Sequence, residues 1–506
     1  MGAVRFVDLA VIAVYMAALV YLGVRFSGRQ TSTERYFVAK RSIPGWAMGL
    51  SLLATMISSV TFIAYPGSAY AGDWANLVPG FMAVLVIAVS GLIVIPFFRH
   101  AVRMSAYEYF GKRFGYGARV YASIAFAAVH FSKMGFVFYL LALTVTSMTG
   151  WNTDRVIIAV GVVTVCYTMI GGIEAVIWAD VLQGFVLWLG IAISIGSLLL
   201  IPPGGPTAVW RLATSSHKIA LGNMSPDLHG PTFLVLSLYG LFFYLQQYTG
   251  DQTIVQRYLV AKSDREALRG ITLGATLCLP VWALFMLIGT LCWSFYRLTG
   301  EHLPAYVNKA DQVFPYFLTT HVPAGLAGLF LAALFGAAMA NVSSGLNSIA
   351  ATGVEDYYRV WRPEATEQRK LWVAKSIVVA CGFLCVVIAT VLAHTSGTAL
   401  SLWYTISAIV GGGVAGLFLL AFFFARTGRA AANTGIVACL LFTAWGTLTL
   451  NHGKLWNLGR FNFPLHDYMV GILGHVVLLI TGLASSLVFP NRDPGSRSLT
   501  VRGWRK

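Results

Sequence analysis

The amino-acid sequence predicts an all-α polytopic membrane protein, and three observations lead to this prediction. The 506 residues are 57% hydrophobic and only 11% charged, whereas a soluble protein carries roughly 25% charged residues. Apolar stretches long enough to cross a bilayer, which takes about 20 helical residues, recur along the whole chain. An outer-membrane barrel would instead show short segments of alternating polarity.

We place about thirteen membrane-spanning helices on these apolar stretches. The first stretch is too long, and too closely followed by others, to be a cleaved signal peptide. The predicted spans cover residues 6–26, 45–71, 76–98, 120–149, 156–172, 174–201, 232–256, 270–296, 323–355, 373–394, 398–425, 431–450 and 467–489.

The positions of the basic residues predict the orientation of the chain. The net charge is +16, and with the N-terminus outside, the short inner loops and the C-terminal tail contain most of the 35 Lys and Arg residues. This asymmetry is the positive-inside signal. We therefore predict a multi-pass protein of the inner (plasma) membrane with a cytoplasmic C-terminus, and no nucleic-acid partner.

Two predicted spans are interrupted by polar and helix-breaking residues. The second contains ATMISSVTFIAYPGSAYAG (54–72) and the seventh contains YLQQYTGDQTIVQRYL (244–259). Non-helical backbone persists in a bilayer only where it lines a cavity, and paired broken helices indicate an inverted-repeat secondary transporter. The spacing predicts one transporter domain, 1–506, with two five-helix repeats at 45–201 and 232–425. An extra helix (1–30), two C-terminal helices (431–490) and a cytoplasmic tail (491–506) complete it.

A polar stripe lies in the long apolar segment that contains FGAAMANVSSGLNSIA (335–350). Ala337, Ala340, Asn341, Ser344 and Ser348 follow helical spacing and share one face. Small and hydroxylated residues on such a face can serve close helix packing. They can also form a cation site, because Na⁺ binds hydroxyl, amide and freed carbonyl oxygens. The pattern leaves both interpretations open.

Two charged residues fall inside predicted spans. A carboxylate within a span is costly and usually faces a polar interior, so Asp180 is a candidate for a cation-related role, the alternative being a position near the inner interface. Lys133 is the only Lys or Arg that we place within a span; it either pairs with a group such as Asp180 or contacts an anionic or hydroxylated substrate. His130, one turn earlier, is interpreted as a packing residue.

The sequence contains no HExxH, GxSxG or Walker-A pattern. These patterns carry metal-dependent hydrolysis, nucleophilic catalysis and ATP binding. We therefore predict that the protein is not an enzyme and that transport is not driven by ATP within this chain.

Six stretches of the chain are YFVAKRSIPGWAMGLSLLATMISSVTF (36–62), MSAYEYFGKRFG (104–115), YTMIGGIEAVIWADVLQG (167–184), QQYTGDQTIVQRYLVAKS (246–263), SSGLNSIA (343–350) and GGGVAGLFLLAFFFARTG (411–428). Through these stretches the sequence resembles the sodium:solute symporter family over about residues 5–490. The resemblance is closest to the branch that includes bacterial sialic acid transporters. It implies a leucine-transporter-like fold with thirteen helices, and alternating access driven by an inward sodium gradient.

The resemblance implies a principal sodium site built largely from backbone carbonyls. The positions that match the carbonyl ligands are Ala54, Ile57 and Ala337. Two adjacent hydroxyl ligands of the family fall on Ala340 and Asn341, which is a departure from its pattern. Asn341 can offer an amide oxygen, whereas Ala340 offers no side-chain ligand.

The second sodium site of some members matches Asp180, Ser343 and Ser344. Its remaining hydroxyl again falls on Ala340. We predict that sodium coupling survives with altered affinity or stoichiometry, and the alternative is a proton-coupled symporter of the same fold.

The resemblance also implies a solute pocket near the first broken helix. The sialic acid branch has an Arg at Lys133 and a Gln at Gly80, and Lys lacks the bidentate fork of Arg. A sugar, a sialic-acid-like solute or a carboxylate therefore remain candidates. The predicted substrate-binding residues are Ser58, Thr61, Asn76, Lys133 and Gln247.

The leading prediction is a sodium-coupled symporter of a small polar organic solute. Its partners would be the solute and the lipid bilayer, with the oligomeric state open and a monomer compatible with the sequence. A solute sensor that binds without transporting is the alternative from another class, and an ion channel fits the broken helices less well.

Overall fold

The computed structural model describes residues 6–504 apart from 29, 306, 308, 324, 395–411, 451–455, 492–494, 496 and 497. Within this part of the chain every regular element is helical, apart from an isolated parallel bridge between Ile43 and Ala261. The all-α prediction is therefore confirmed.

The helices are numbered in chain order. The elements α14 and α15 are joined by a π-helical turn at Gly353–Tyr358. The α-helices are α1 Phe6–Ser27, α2 Thr33–Val38, α3 Gly45–Met56, α4 Ser59–Ala71, α5 Val78–Ala101, α6 Tyr107–Phe114, α7 Tyr116–Thr149, α8 Thr153–Leu200, α9 Gly205–Ser215, α10 Phe233–Gly250, α11 Gln252–Val260, α12 Asp264–Thr299, α13 Val313–His321, α14 Leu326–Thr352, α15 Arg359–Trp361, α16 Glu367–His394, α17 Val414–Phe423, α18 Arg429–Leu448, α19 Tyr468–Val488 and α20 Val501–Trp504.

Nine helices of the described residues are long and apolar enough to cross a membrane, and the bent pair α3–α4 makes a tenth. The predicted span 398–425 lies partly outside the described residues, and only α17 represents it. The count of about thirteen spans stays a prediction for this reason.

The element α8 is a helical hairpin that contains the fifth and sixth predicted spans. Gly172 has φ +60° and ψ −161°, which ends one helical arm and starts the next. Tyr167 and Gln183 lie side by side, close enough for their polar groups to interact. A straight helix would separate positions 167 and 183 by about 24 Å, at 1.5 Å per residue. The chain therefore turns back on itself at Gly172.

The first predicted break is present between α3 and α4, which bend by 57°. Ile57 and Ser58 have extended backbone conformations (φ −88°, ψ 128° and φ −133°, ψ 176°). The backbone N–H of Ser58 points to Thr61 Oγ1 at 3.4 Å. In a continuous helix this N–H would bond to the carbonyl of Ala54, so the break frees that carbonyl.

The second predicted break lies at Asp251, between α10 and α11. Its backbone is extended (φ −90°, ψ 115°), and its Oδ1 accepts hydrogen bonds from Thr253 N at 2.8 Å and Thr253 Oγ1 at 2.5 Å. A carboxylate that accepts from the first turn is a strong N-cap. The Asp side chain therefore starts α11 independently of α10.

The helix α14 lies at the centre of the bundle, where it packs against α1, α3, α7 and α8. In its most apolar stretch, 89% of the residues are buried. Glycines on three of its turns allow close approach, Gly328 to Asp8, Gly336 to Tyr15 and Gly345 to Met134. The polar stripe predicted on α14 therefore faces protein rather than lipid.

The segment between α8 and α10 docks on the end of α4 through Lys218. Its Nζ donates hydrogen bonds to the carbonyls of Tyr70 at 2.9 Å and Gly72 at 2.6 Å. Burial lowers the pKa of this ammonium below its usual range, because desolvation disfavours the charged form. The contact closes one end of the first broken span.

We expect Gly172→Ala to destabilise the protein. A Cβ at this position would lie 2.8 Å from Tyr36 Cδ2 and 2.9 Å from Tyr36 O, at a backbone conformation that favours glycine. Such a conformation costs about 1–3 kcal/mol for a residue with a side chain. The melting temperature in detergent should therefore fall by about 2 °C or more.

The matched control is Gly196→Ala on the other arm of α8, where a Cβ would meet no atom within 4 Å. It should leave the melting temperature unchanged or raise it slightly, because Ala favours helix. Equal melting temperatures for the two variants would contradict a hairpin turn at Gly172.

Candidate cation and solute site

The two helix breaks meet at α7, which passes beside both of them. Ser59, in the first turn after the first break, donates a hydrogen bond from Oγ to the carbonyl of Val137 at 3.1 Å. His130, two turns earlier on α7, places Nε2 3.6 Å from Asp251 Oδ2 at the second break. The side chains of His130 and Asp251 are both buried. The residues 130–137 of α7 therefore connect the breaks in the interior of the bundle.

The first predicted sodium site lies where the first break faces α14. Asn341 Nδ2 donates a hydrogen bond to the carbonyl of Thr55 at 2.8 Å. Ala54 and Ile57 flank this carbonyl on either side, and Ala337 lies one turn before Asn341 on α14. The fold thus brings the predicted carbonyl-bearing break and the predicted turn of α14 together. Rotation of the Asn341 amide by 180° would present its oxygen instead of its nitrogen.

Asp180, predicted for the second sodium site, is fully buried and forms an ion pair with Arg257. Its Oδ2 lies 3.1 Å from Arg257 Nη2 and accepts a hydrogen bond from Ser51 Oγ at 2.5 Å. Ser344 Oγ, another predicted ligand, lies 2.8 Å from the same Nη2. A guanidinium therefore stands among oxygens that the sequence assigned to a metal ion.

The remaining donors of Arg257 reach α3 and the backbone of its own helix. It donates to the hydroxyl of Thr55 on α3 and, at 3.2 Å, to that of Ser51, also on α3. Its Nη1 donates to the carbonyl of Thr253 on its own helix at 2.6 Å. Thr55 Oγ1 and Ser344 Oγ are 3.1 Å apart. One side chain thus connects α11 with α3, α8 and α14.

Arg257 was not predicted as an interior residue, because the seventh predicted span ends at residue 256. The structure continues the broken span through α11 to Val260 and buries Arg257 completely. Lys133 is therefore not the only basic side chain inside the bundle. The break itself could have indicated that Arg257 is buried, since an interrupted span needs more residues than a straight helix to cross the bilayer.

Ser343, the third side chain predicted for the second sodium site, does not contact Arg257. Its Oγ donates to the carbonyl of Ala340 at 3.2 Å, and it lies beside Tyr167. Within the described part of the chain, no group of three or more His, Cys, Asp or Glu residues could hold a metal ion. The oxygen-rich surroundings of Asp180 fit an alkali cation, which binds neutral oxygens, better than a transition metal.

Four of the five predicted solute residues lie in the interior of the bundle, and one lies outside it. Ser58 and Thr61 are buried at the first break, and Lys133 and Gln247 are half-buried on α7 and α10. Asn76, by contrast, is exposed before α5, where its Nδ2 donates to Ser68 Oγ at 2.6 Å. Asn76 therefore lies near the end of α4 that is remote from the break.

Lys133 and Asp251 lie close enough for their charges to interact. Lys133 forms no ion pair with a described residue. At Gly80, a Cβ would lie 2.8 Å from the ring of Trp282. The indole of Trp282 thus occupies the space that a larger side chain would need, and it lies beside the rings of Tyr65 and Tyr244.

The end of the bundle that contains α6 is tied to the second break. Tyr107 Oη on α6 donates to the carbonyl of Gly250 at 3.0 Å, and the N–H of Ala106 bonds to Gln252 Oε1 at 2.8 Å. Gln252 returns a hydrogen bond from Nε2 to the carbonyl of Met104 at 2.6 Å. No pattern in the sequence indicates these contacts, which join residues more than 140 positions apart.

Comparison with known proteins agrees with this architecture. The model of the sodium:solute symporter family matches residues 36–438. The sodium/sialic acid symporter NanT of Aliivibrio fischeri is 31% identical over 94% of this chain and 92% of its own length. A substrate-bound, outward-open structure of a Na⁺-coupled sialic acid symporter has a TM-score of 0.88 at 30% identity, over 97% of this chain and 100% of its own.

A more distant similarity concerns the fold alone. The inward-facing structure of the transporter Mhp1 has a TM-score of 0.53 at 15% identity, over 91% of this chain and 95% of that one. Together these similarities confirm the leucine-transporter-like fold that the sequence predicted.

The relatives are membrane symporters and not enzymes, so this chain is a multi-pass membrane transporter. The predictions of transport and of Na⁺ as coupling ion are confirmed by the family and by the Na⁺-coupled structural relative. The chain belongs to the sodium:solute symporter family and is a Na⁺-coupled symporter of a small organic solute.

Proposed function

We propose that Na⁺ and the solute bind side by side where the two helix breaks meet α7 and α14. The observation that carries this proposal is the hydrogen bond between Asn341 Nδ2 and the carbonyl of Thr55 at 2.8 Å. It joins the first break to the polar face of α14. Freed backbone groups in a bilayer are expected only at a cavity or a binding site.

The first Na⁺ binds at this junction, to the carbonyls of Ala54, Ile57 and Ala337 and to the amide oxygen of Asn341. When the ion binds, it takes the place of the Asn341 side-chain N–H as the group that contacts the carbonyl oxygens of the first break. Since Ala340 supplies no hydroxyl, the site has fewer side-chain oxygens than the family's pattern. We therefore expect weaker Na⁺ binding than a site with two hydroxyls would give.

The second Na⁺ binds beside Asp180, with Ser343 and Ser344 on the neighbouring turn of α14. Arg257 already neutralises part of the charge of Asp180 through Oδ2. Coupling to the membrane potential then comes from the moving ions, while the buried Asp–Arg pair stays with the protein.

Ion binding favours one conformation because it joins elements that belong to different parts of the bundle. A ligand shifts a conformational equilibrium only through its different affinity for the two states. Na⁺ at the first break stabilises the state in which α3, α4 and α14 are close, and that state forms the solute pocket of Ser58 and Thr61.

The solute is a small organic anion, such as a sugar acid or another carboxylate. Lys133 supports this class, because its ammonium lies in the interior without an ion-pair partner among the described residues. Gln247, Ser58 and Thr61 add hydrogen-bonding groups, and Asn76 lines the outer approach. The ring of Trp282 at Gly80 offers an apolar surface of the kind that packs against a sugar ring.

The protein lies in the inner membrane of a bacterial-type cell, with its N-terminus outside and its C-terminus in the cytoplasm. The basic residues of the loops before α3 and around α6 support this orientation through the positive-inside rule. The two breaks support the repeats 45–201 and 232–425 as units that move against each other, with 1–30, 431–490 and the tail 491–506 as additions.

The function is tested by uptake in proteoliposomes. Accumulation of a labelled sugar acid should require an inward Na⁺ gradient and should stop when choline replaces Na⁺ without a pH gradient. Uptake that follows an imposed pH gradient in choline would instead support proton coupling. Solute binding without accumulation in any gradient would support a sensor.

We expect Asn341→Ser to raise the apparent affinity for Na⁺. A hydroxyl presents an oxygen to the ion without the competing amide N–H, and one added ligand corresponds to a change of about tenfold. Asn341→Leu, which removes the oxygen at similar volume, should change the affinity in the opposite direction. The measurement is the Na⁺ concentration for half-maximal uptake, and equal values for both variants would argue against Na⁺ at this junction.

We expect Lys133→Gln to reduce uptake of a sugar acid by about tenfold or more, since it removes the positive charge facing the solute carboxylate. Lys133→Arg keeps the charge and should retain more activity. The matched control is Lys262→Gln, at an exposed site before α12. A neutral sugar transported equally by wild type and Lys133→Gln would contradict an anionic solute.

A further inference from the structure

Three buried side chains, those of Tyr15, Asp180 and Gln183, each carry at least one polar atom without a hydrogen-bond partner. Among the described residues, the unpaired atoms include Tyr15 Oη, both amide atoms of Gln183, and Asp180 Oδ1. The residues are 7%, 2% and 0% exposed, respectively. Buried polar groups normally have partners, so three in one place indicate that something else binds there.

The fold brings these groups together from two elements. Tyr15 is on α1, and its phenol lies close enough to Gln183, Tyr167 and Asp180 to interact with all three. Gln183 and Asp180 share the second arm of α8, and the hairpin at Gly172 places Tyr167 of the first arm beside them.

Gly336 of α14 packs directly against this cluster of polar groups. A Cβ at Gly336 would lie 2.5 Å from Tyr15 Oη and 3.0 Å from Gln183 Cγ. Only a residue without a side chain leaves room for both groups on this turn of the central helix. The cluster therefore lies between α1, α8 and α14, in the interior of the protein.

We propose that Tyr15 Oη, Gln183 Oε1 and Asp180 Oδ1, with Ser343 nearby, hold the second Na⁺ of this transporter. This inference rests on the proposed function and adds two ligands that neither the sequence analysis nor the family's pattern assigned. Tyr15 and Gln183 supply the oxygens that Ala340 lacks. Asp180 serves two cations at once, Arg257 through Oδ2 and Na⁺ through Oδ1.

The chemistry of the cluster favours Na⁺ over a second protein donor. Its groups are a carboxylate, an amide and hydroxyl oxygens, which are the hard ligands that dehydrated alkali and alkaline-earth cations prefer. Arg257 is held by acceptors on α3, α8 and α14 and by the carbonyl of Thr253 on its own helix, and it uses only Oδ2 of Asp180. One oxygen of the carboxylate therefore remains for an ion.

The test uses the full-length purified protein and measures thermal stability while NaCl replaces choline chloride at constant ionic strength. Tyr15→Phe and Gln183→Met each remove an unpaired polar group and keep its approximate shape. In choline both variants should be as stable as wild type or more stable, because they remove buried groups that lack partners. The Na⁺ concentration that gives half of the maximal stabilisation should be at least about tenfold higher in each variant than in wild type.

The matched control is Tyr296→Phe on α12. Tyr296 is also 7% exposed with an unpaired hydroxyl, and it belongs to a different part of the bundle. Tyr296→Phe should reach half of its Na⁺-induced stabilisation at the same Na⁺ concentration as wild type. Two results would overturn the inference: a wild-type Na⁺ midpoint in Tyr15→Phe and Gln183→Met, or a large loss of stability of both in choline, which would mean that the atoms have protein partners.

Failure of this inference can be told apart from failure of the proposed function. If wild type is not stabilised by Na⁺ and takes up solute equally in choline, the proposed sodium sites fail altogether. If wild type responds to Na⁺ and both variants respond identically, the second ion binds elsewhere and only the assignment of Tyr15 and Gln183 is lost.

Discussion

The buried pair of Asp180 and Arg257 is the interaction on which the interior of this transporter depends. Isolating two charges from water is costly, and the cost is offset only when their hydrogen-bonding capacity is satisfied. Here hydroxyls from α3 and α14 and a carbonyl of α11 surround the guanidinium. The pair therefore determines how the second half of a broken span sits against three other helices, and the surrounding serines and threonines are explained by it.

The same interior contains backbone that is not helical, and each interruption has its own substitute partner. At the first break the hydroxyl of Thr61 accepts a hydrogen bond from the N–H of Ser58. The amide of Asn341 donates a hydrogen bond to the carbonyl of Thr55. At the second break the carboxylate of Asp251 caps the new helix. Because these partners are side chains rather than the rigid helical ladder, they can be exchanged for an ion or a solute without unfolding a helix.

Much of this architecture was predictable because its causes are local. Ser, Thr, Pro and Gly in residues 54–72 weaken a helix wherever they occur, and a carboxylate such as Asp180 in an apolar run indicates a polar interior. Arg257 was missed because the seventh span was given the length of a continuous helix. A broken span needs more residues to cross the bilayer, and it continues to Val260. The neighbourhood of Tyr15 and Gln183 could not be predicted, since it depends on how α1 packs and on the turn at Gly172.

The hydrogen bonds of Tyr107 and Ala106 to the second break have a mechanical consequence. The carbonyl of Gly250 and the side chain of Gln252 belong to the point where α10 gives way to α11, and both are fastened to the short helix α6. An outward swing of α6 must therefore release the hinge at Asp251, and a shift of that hinge must loosen α6. The movement of α6 and the movement of the hinge at Asp251 are therefore coupled through these hydrogen bonds and occur in a single cooperative step.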